Sequence, residues 1–114
     1  SYKTKDKKYL IVALETYEFM DIKTCLEKLP KEFDSLKDLF GTKVKIIGPT
    51  RTKHWADKSN NSWYEGYYFN FQSKDSISVE CYNWSDKITA KEGWEDHLRF
   101  IIRTNEFNNF LKNQ

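Results

Sequence analysis

The chain is poor in glycine. Gly41, Gly48, Gly66 and Gly93 are its only four, and each stands alone. A phosphate-cradling loop needs glycines clustered ahead of a helix, so that chemistry is excluded. Long apolar runs are also missing. Residues 10–14 (LIVAL) form a short one, whereas a membrane-spanning helix needs about 18 apolar residues and a secretory core about 7–15. No transmembrane segment is expected. Histidine and cysteine occur twice each, as His54, His97, Cys25 and Cys81. A Cys–His nucleophile needs a thiolate in a polar, partly exposed site. Both cysteines fall on apolar stripes, so no catalytic residue is assigned. A metal centre needs three or four ligands at local spacing. His54 and Asp57 have nothing nearby to complete a set, and Glu92, Glu95, Asp96 and His97 read as an acidic turn. No metal and no cofactor is expected. Glu65 and Glu80 have opposite parity on their strands, which weakens a paired-carboxylate glycosidase.

Charge of one sign is lacking as well. The net charge is +2, too small to imply nucleic acid by itself. The basic residues are uneven. Residues 1–8 (SYKTKDKK) hold four lysines and one acid and read as a flexible basic arm. Residues 43–58 hold Lys43, Lys45, Arg51, Lys53 and Lys58 against Asp57. The first residue is Ser1, so a mature form, a trimmed chain and a piece of a longer one all fit. A cytoplasmic location and an exported one (periplasmic, or anchored through a removed N-terminal segment) fit equally.

Aromatic residues are abundant, at 17%, which argues against disorder. At 114 residues with a mean hydropathy of -0.81, the chain reads as one well-solvated domain over 9–114. Residues 9–14 (YLIVAL) suit a central strand. Asp21 is an N-cap ahead of Ile22, Cys25, Leu26, Leu29, Phe33, Leu36 and Phe40, whose three- and four-residue spacing marks an amphipathic helix over 21–40. Pro30 predicts a kink or a break in it, and Gly41 a stop. Residues 43–47 suit a strand that Gly48 and Pro49 end, and 50–62 a long polar loop. Residues 63–72 and 76–84 alternate as a hairpin joined through Ser73, Lys74 and Asp75. Residues 85–95 form a second polar connection, 96–103 a strand, and 106–112 a short terminal helix. The expected architecture is α+β: a single mostly antiparallel sheet of about five strands, ordered β-α-β-β-β-β-α. The kinked 21–40 segment covers one face, and a short C-terminal helix closes the chain.

If the helix covers the face carrying Cys81, then Cys25 lies in the same layer. Two buried thiols are expected there, with a disulfide, and hence an oxidising compartment, as the alternative.

Parity puts Trp63, Tyr67, Phe69, Phe71, Ile77, Val79 and Cys81 on one side of the hairpin. Tyr64, Tyr68, Tyr82 and Trp84 fall on the other. That second face is either covered, for instance by Phe107 and Phe110, or used. Aromatic side chains with polar tips suit protein interfaces. The expected function is therefore a small non-enzymatic protein-binding domain: an inhibitor, an immunity-type protein or an envelope accessory protein. Its contact residues are Tyr68, Tyr82, Trp84, Tyr64 and Trp55. A nucleic-acid or glycan-binding domain is the alternative, using Arg51, Lys53, His54 and Lys58 around Trp55. A small hydrolase or nuclease built on His54 or the Glu92–His97 cluster comes third. The sequence leaves the oligomeric state open.

Overall fold

The computed structural model describes residues 2–3, 9–10 and 13–104. Two short strands, β1 (Tyr2–Lys3) and β2 (Tyr9–Leu10), pair antiparallel with each other. The remainder is a small α+β fold with one antiparallel sheet. Its strands are β3 (Ala13–Phe19), β4 (Val44–Lys53), β5 (Trp63–Phe71), β6 (Ser76–Asn83) and β7 (His97–Arg103). They lie in the order β3-β7-β6-β5-β4. Helix α1 (Ile22–Phe40) connects β3 to β4, and α2 (Asp86–Glu92) connects β6 to β7. The expected basic arm over 1–8 falls largely outside the described residues, as does the expected terminal helix over 106–112.

The helix over 21–40 forms as expected. Asp21 caps it by accepting from the Thr24 amide at 2.8 Å. It continues through Pro30 as one element. The sheet beneath supports it, and burial of an apolar stripe outweighs one missing amide donor. Cys25 and Leu29 sink against Val79, Cys81 and Leu98, with Leu26, Leu36, Tyr67 and Phe100 packed around them. Phe33 stacks on Tyr67 at 4.0 Å between ring centres, and Phe40 meets Phe71 edge-on. The hairpin parity is thus realised, with the 67/69/71 and 77/79/81 positions facing the helix.

Four expectations need correction. The strand over 9–14 is not central. Tyr9 and Leu10 belong to the small ladder, and β3 starts at Ala13 and occupies a sheet edge. Residues 15–20 read in sequence as a polar-aromatic link leaving that strand, but Thr16, Tyr17 and Phe19 within it are good strand formers, and pairing with β7 recruits them. Second, Gly48 and Pro49 do not end a strand. They sit at a register shift within β4, after which Thr50–Lys53 pair with Trp63–Gly66. An edge strand with an irregularity is where a sheet accepts proline. The loop therefore spans only 54–62. Third, α2 replaces most of the polar connection. Ser85 caps it by accepting from Ile88 N–H, and Gly93 closes it at φ 74°. Fourth, Cys25 and Cys81 are not thiols. They form a disulfide with Cα atoms 5.8 Å apart, so the shared layer stands and the reduced state does not. Helix packing brings the two side chains within bridging distance.

Candidate functional site

The sheet face turned away from α1 carries a cleft of about 480 Å³. Tyr17 and Phe19 come from β3, His97 and Arg99 from β7, and Tyr82 from β6. Trp84, Trp94 and His54 come from the connections. Pairing explains the convergence: Tyr17 lies opposite Arg99, Phe19 opposite His97, and His97 opposite Tyr82. Directly paired residues share a face, so three strands contribute one row of rings. His97 stacks on Tyr82 at 4.7 Å, with its planes 8° apart, and meets Tyr17 edge-on at 5.2 Å. Tyr64 stacks on Tyr82 from the other side at 5.1 Å. Trp84 lies 4.6 Å from His54 and 4.9 Å from Trp94.

A polar network runs under these rings. Glu80, buried, accepts from the Tyr68 hydroxyl at 2.8 Å and the Tyr82 hydroxyl at 3.3 Å. Gly66 lies opposite Glu80, and a Cβ there would stand 2.7 Å from Glu80 Cγ. Its bare backbone makes room for the carboxylate. Arg99 donates to the Tyr82 oxygen at 2.9 Å and to Glu15 at 2.8 Å, and Glu15 also accepts from Tyr17 at 2.6 Å. Burial pushes the Tyr82 phenol up to about 12, reinforced by the Glu80 charge and opposed by Arg99. Burial and the hydrogen bond to Glu80 raise Tyr68 further still. The hydrogen bond from Tyr17 and the Arg99 charge hold Glu15 below the usual carboxylate range against its partial burial. The phenols therefore stay neutral and the carboxylate stays charged.

The cleft's outer wall depends on Asp57. Its carboxylate accepts from the Ser59 amide and hydroxyl at 2.9 and 2.6 Å, from Ser62 Oγ at 2.6 Å and from Ser85 Oγ at 2.9 Å. The Ser62 hydroxyl in turn accepts from the Ser85 amide at 2.8 Å. These bonds clamp the 54–62 loop to the start of α2 and so fix His54 beside Trp84. His54 Nδ1 accepts from the Ala56 amide at 3.1 Å, so the neutral ring carries its proton on Nε2. Burial, helped by the Arg99 charge, lowers its pKa despite Asp57. Thr89 Oγ1 donates to the Trp94 carbonyl at 2.7 Å and ties that residue to α2.

Of the expected contact residues, Tyr82, Trp84 and Tyr64 are brought together. Tyr68 joins them through Glu80, and Trp55 stands beside His54 at the rim, 86% exposed. The expected basic set is not brought together. Arg51 and Lys53 pair with Glu65 and Trp63, on the face that α1 covers elsewhere. Arg51 donates to Glu65 at 2.9 Å and lies 3.6 Å over the Trp63 ring. His54 belongs to the opposite face, and Lys58 is exposed in the loop. Once β4 runs to Lys53, strand alternation separates these cations.

His97 is also corrected. Alternation with Leu98 reads in sequence as a solvent-facing strand position, whereas the residue is 8% exposed within the aromatic row. Tyr17, Phe19, Trp94 and Arg99 were missed. Parity within β7 does place His97 and Arg99 opposite Leu98, but only the β3–β7 pairing shows what they face. Among the described residues no group of three or more His, Cys, Asp or Glu could hold a metal, and no helix is long and apolar enough to cross a membrane. Fold and cleft together define a small α+β domain with an aromatic-walled cleft on the sheet face opposite its helix. No protein-family model, curated protein or solved structure matches this chain.

Proposed function

We propose that this is a non-enzymatic binding domain whose aromatic sheet face engages a partner protein. One observation carries the reading. Phe19 is 67% exposed and Tyr17 52%, and both border a cleft whose floor is an ordered row of Tyr82, His97 and Trp84. Contiguous exposed aromatic surface around a preformed depression is characteristic of interfaces. The Trp84 indole N–H and the Arg99 Nε–H are enclosed without an acceptor among the described residues. The Cys25–Cys81 bond suits an oxidising compartment, as an exported inhibitor or envelope accessory protein would meet. The nucleic-acid alternative loses support, because its cations are divided between two faces.

The test is site-specific photocrosslinking from Phe19 and Trp94, with exposed Leu39 on α1 as the control. Capture of one protein from both cleft positions and none from Leu39 is expected. Trp84→Ala should then weaken binding of that purified partner by about 2 kcal/mol or more, as truncated interface aromatics do, with an unchanged circular dichroism spectrum. If Trp84→Ala unfolds the domain, the ring is core and the reading fails.

A further inference from the structure

The two edges of the sheet are built differently. β4 carries the devices that block edge pairing: Lys45, Arg51 and Lys53, together with a register shift at Gly48–Pro49. β3 carries none of them. Its sequence, ALETYEF, has no proline, glycine, lysine or arginine. It pairs with β7 over seven consecutive residues with no shift. No described strand covers its outer edge. Leu14, Tyr17 and Phe19 are all at least half exposed along it. A regular edge of this length bearing large exposed apolar residues is a template for another strand.

We infer that the occupant is a second copy of this chain, with β3 pairing antiparallel to β3 across a two-fold axis. The register that pairs all seven residues is centred on Thr16. It sets Ala13 opposite Phe19 of the second copy, Leu14 opposite Glu18, Glu15 opposite Tyr17, and Thr16 opposite Thr16. No like charges meet directly. Threonine pairs are favourable across strands, and Tyr17 already bonds a Glu15 carboxylate within one chain at 2.6 Å. Glu15 brings little free charge to the seam, because it is paired with Arg99, whereas Glu18, in an exposed pair with Lys28, still presents its carboxylate to a residue opposite it. The two-fold also follows from the contrast between edges. Pairing β3 with β4 of the next copy would propagate an open filament, and the cations and register shift of β4 oppose it. Directly opposed residues share a face, so both aromatic clefts lie on one side of the joined sheet. Tyr17 and Phe19 of the two copies then line the seam between them.

Sedimentation equilibrium from micromolar to millimolar concentration tests this on the whole chain and two variants. Leu14 lies on the helix side of β3, outside the cleft, so the outcome is independent of the Trp84→Ala test. The wild type should approach twice 13.7 kDa as concentration rises. Leu14→Asp places a carboxylate opposite Glu18 at two symmetric positions and should weaken association by about tenfold or more. Leu14→Lys places an ammonium there and should preserve or strengthen it. A wild type that stays at 13.7 kDa throughout overturns the inference. So do equal losses in the two variants, since only this register makes the effect depend on the sign of the charge. Circular dichroism on each variant establishes that the domain is folded.

Discussion

At the scale of single residues, Asp57 holds more of the site in place than any ring does. Hydrogen bonds from Ser59 first, then Ser62 and Ser85, hold its carboxyl far below the ordinary value of 3.8 against the cost of burial. A carboxylate whose folded pKa is depressed contributes stability that is present above its unfolded pKa. That contribution is lost as pH falls toward the folded one. The melting temperature of the wild type should therefore drop on acidification below about pH 4. An Asp57→Ala variant, already destabilised at neutral pH, should show a smaller drop over the same range. Equal pH dependence in the two would mean that the clamp does not carry the charge. His54 works in the opposite chemical sense but the same pH direction. Its neutral form is favoured by burial, so protonation below about pH 6.5 opposes folding and costs the bond from Ala56.

At the scale of elements, the attachment of α1 to the sheet rests on a covalent tie and an aromatic stack. The disulfide spans 56 residues of sequence and joins the first turn of α1 to the C-terminal half of β6. Closing a loop of that size lowers the entropy of the unfolded chain. Replacing both cysteines by alanine should cost roughly 2–4 kcal/mol, measured by urea unfolding. An unchanged midpoint would show that the bond does not form. Phe33 lies over Tyr67 and against Phe69 but is only half-buried. Phe33→Ala should therefore cost about 2–3 kcal/mol, less than the 3–5 of a fully enclosed ring. A loss under about 0.5 kcal/mol, the range of surface changes, would mean that helix packing does not depend on the stack.

For the whole molecule, the two faces of the sheet differ in what covers them. One face is consumed by α1 and the disulfide, and the other carries the aromatic row. Substitutions should divide the same way. Under the proposed binding role, Phe33→Ala should lower stability and leave affinity for the proposed partner unchanged, whereas Trp84→Ala should lower that affinity and leave stability largely unchanged. Paired unfolding and binding measurements check this, and a Phe33→Ala variant that loses affinity in proportion to stability would deny the separation. The connections 54–62 and α2 act as one unit, so disturbing either should displace both His54 and Trp84.

Alternation and helical spacing were enough to determine the hairpin, its two faces and the α1 stripe. Both patterns are local and are set by which side of an element meets water. The same parity already collected Tyr64, Tyr82 and Trp84. The α2 signals were present too: a serine cap, a glycine stop and Ile88 between them. With one buried apolar residue, however, the segment has no stripe to recognise. Other features depend on partners distant in the chain. Only the pairing of the first sheet strand with the last makes β3 an edge and brings Tyr17 and Phe19 to His97. Only helix docking sets Cys25 against Cys81, and only the Asp57 clamp seats His54 in the cleft. These are contacts between segments far apart in sequence, and no local pattern specifies which segments meet. The tertiary structure decides them, because burial and hydrogen bonding are satisfied for the sheet as a whole.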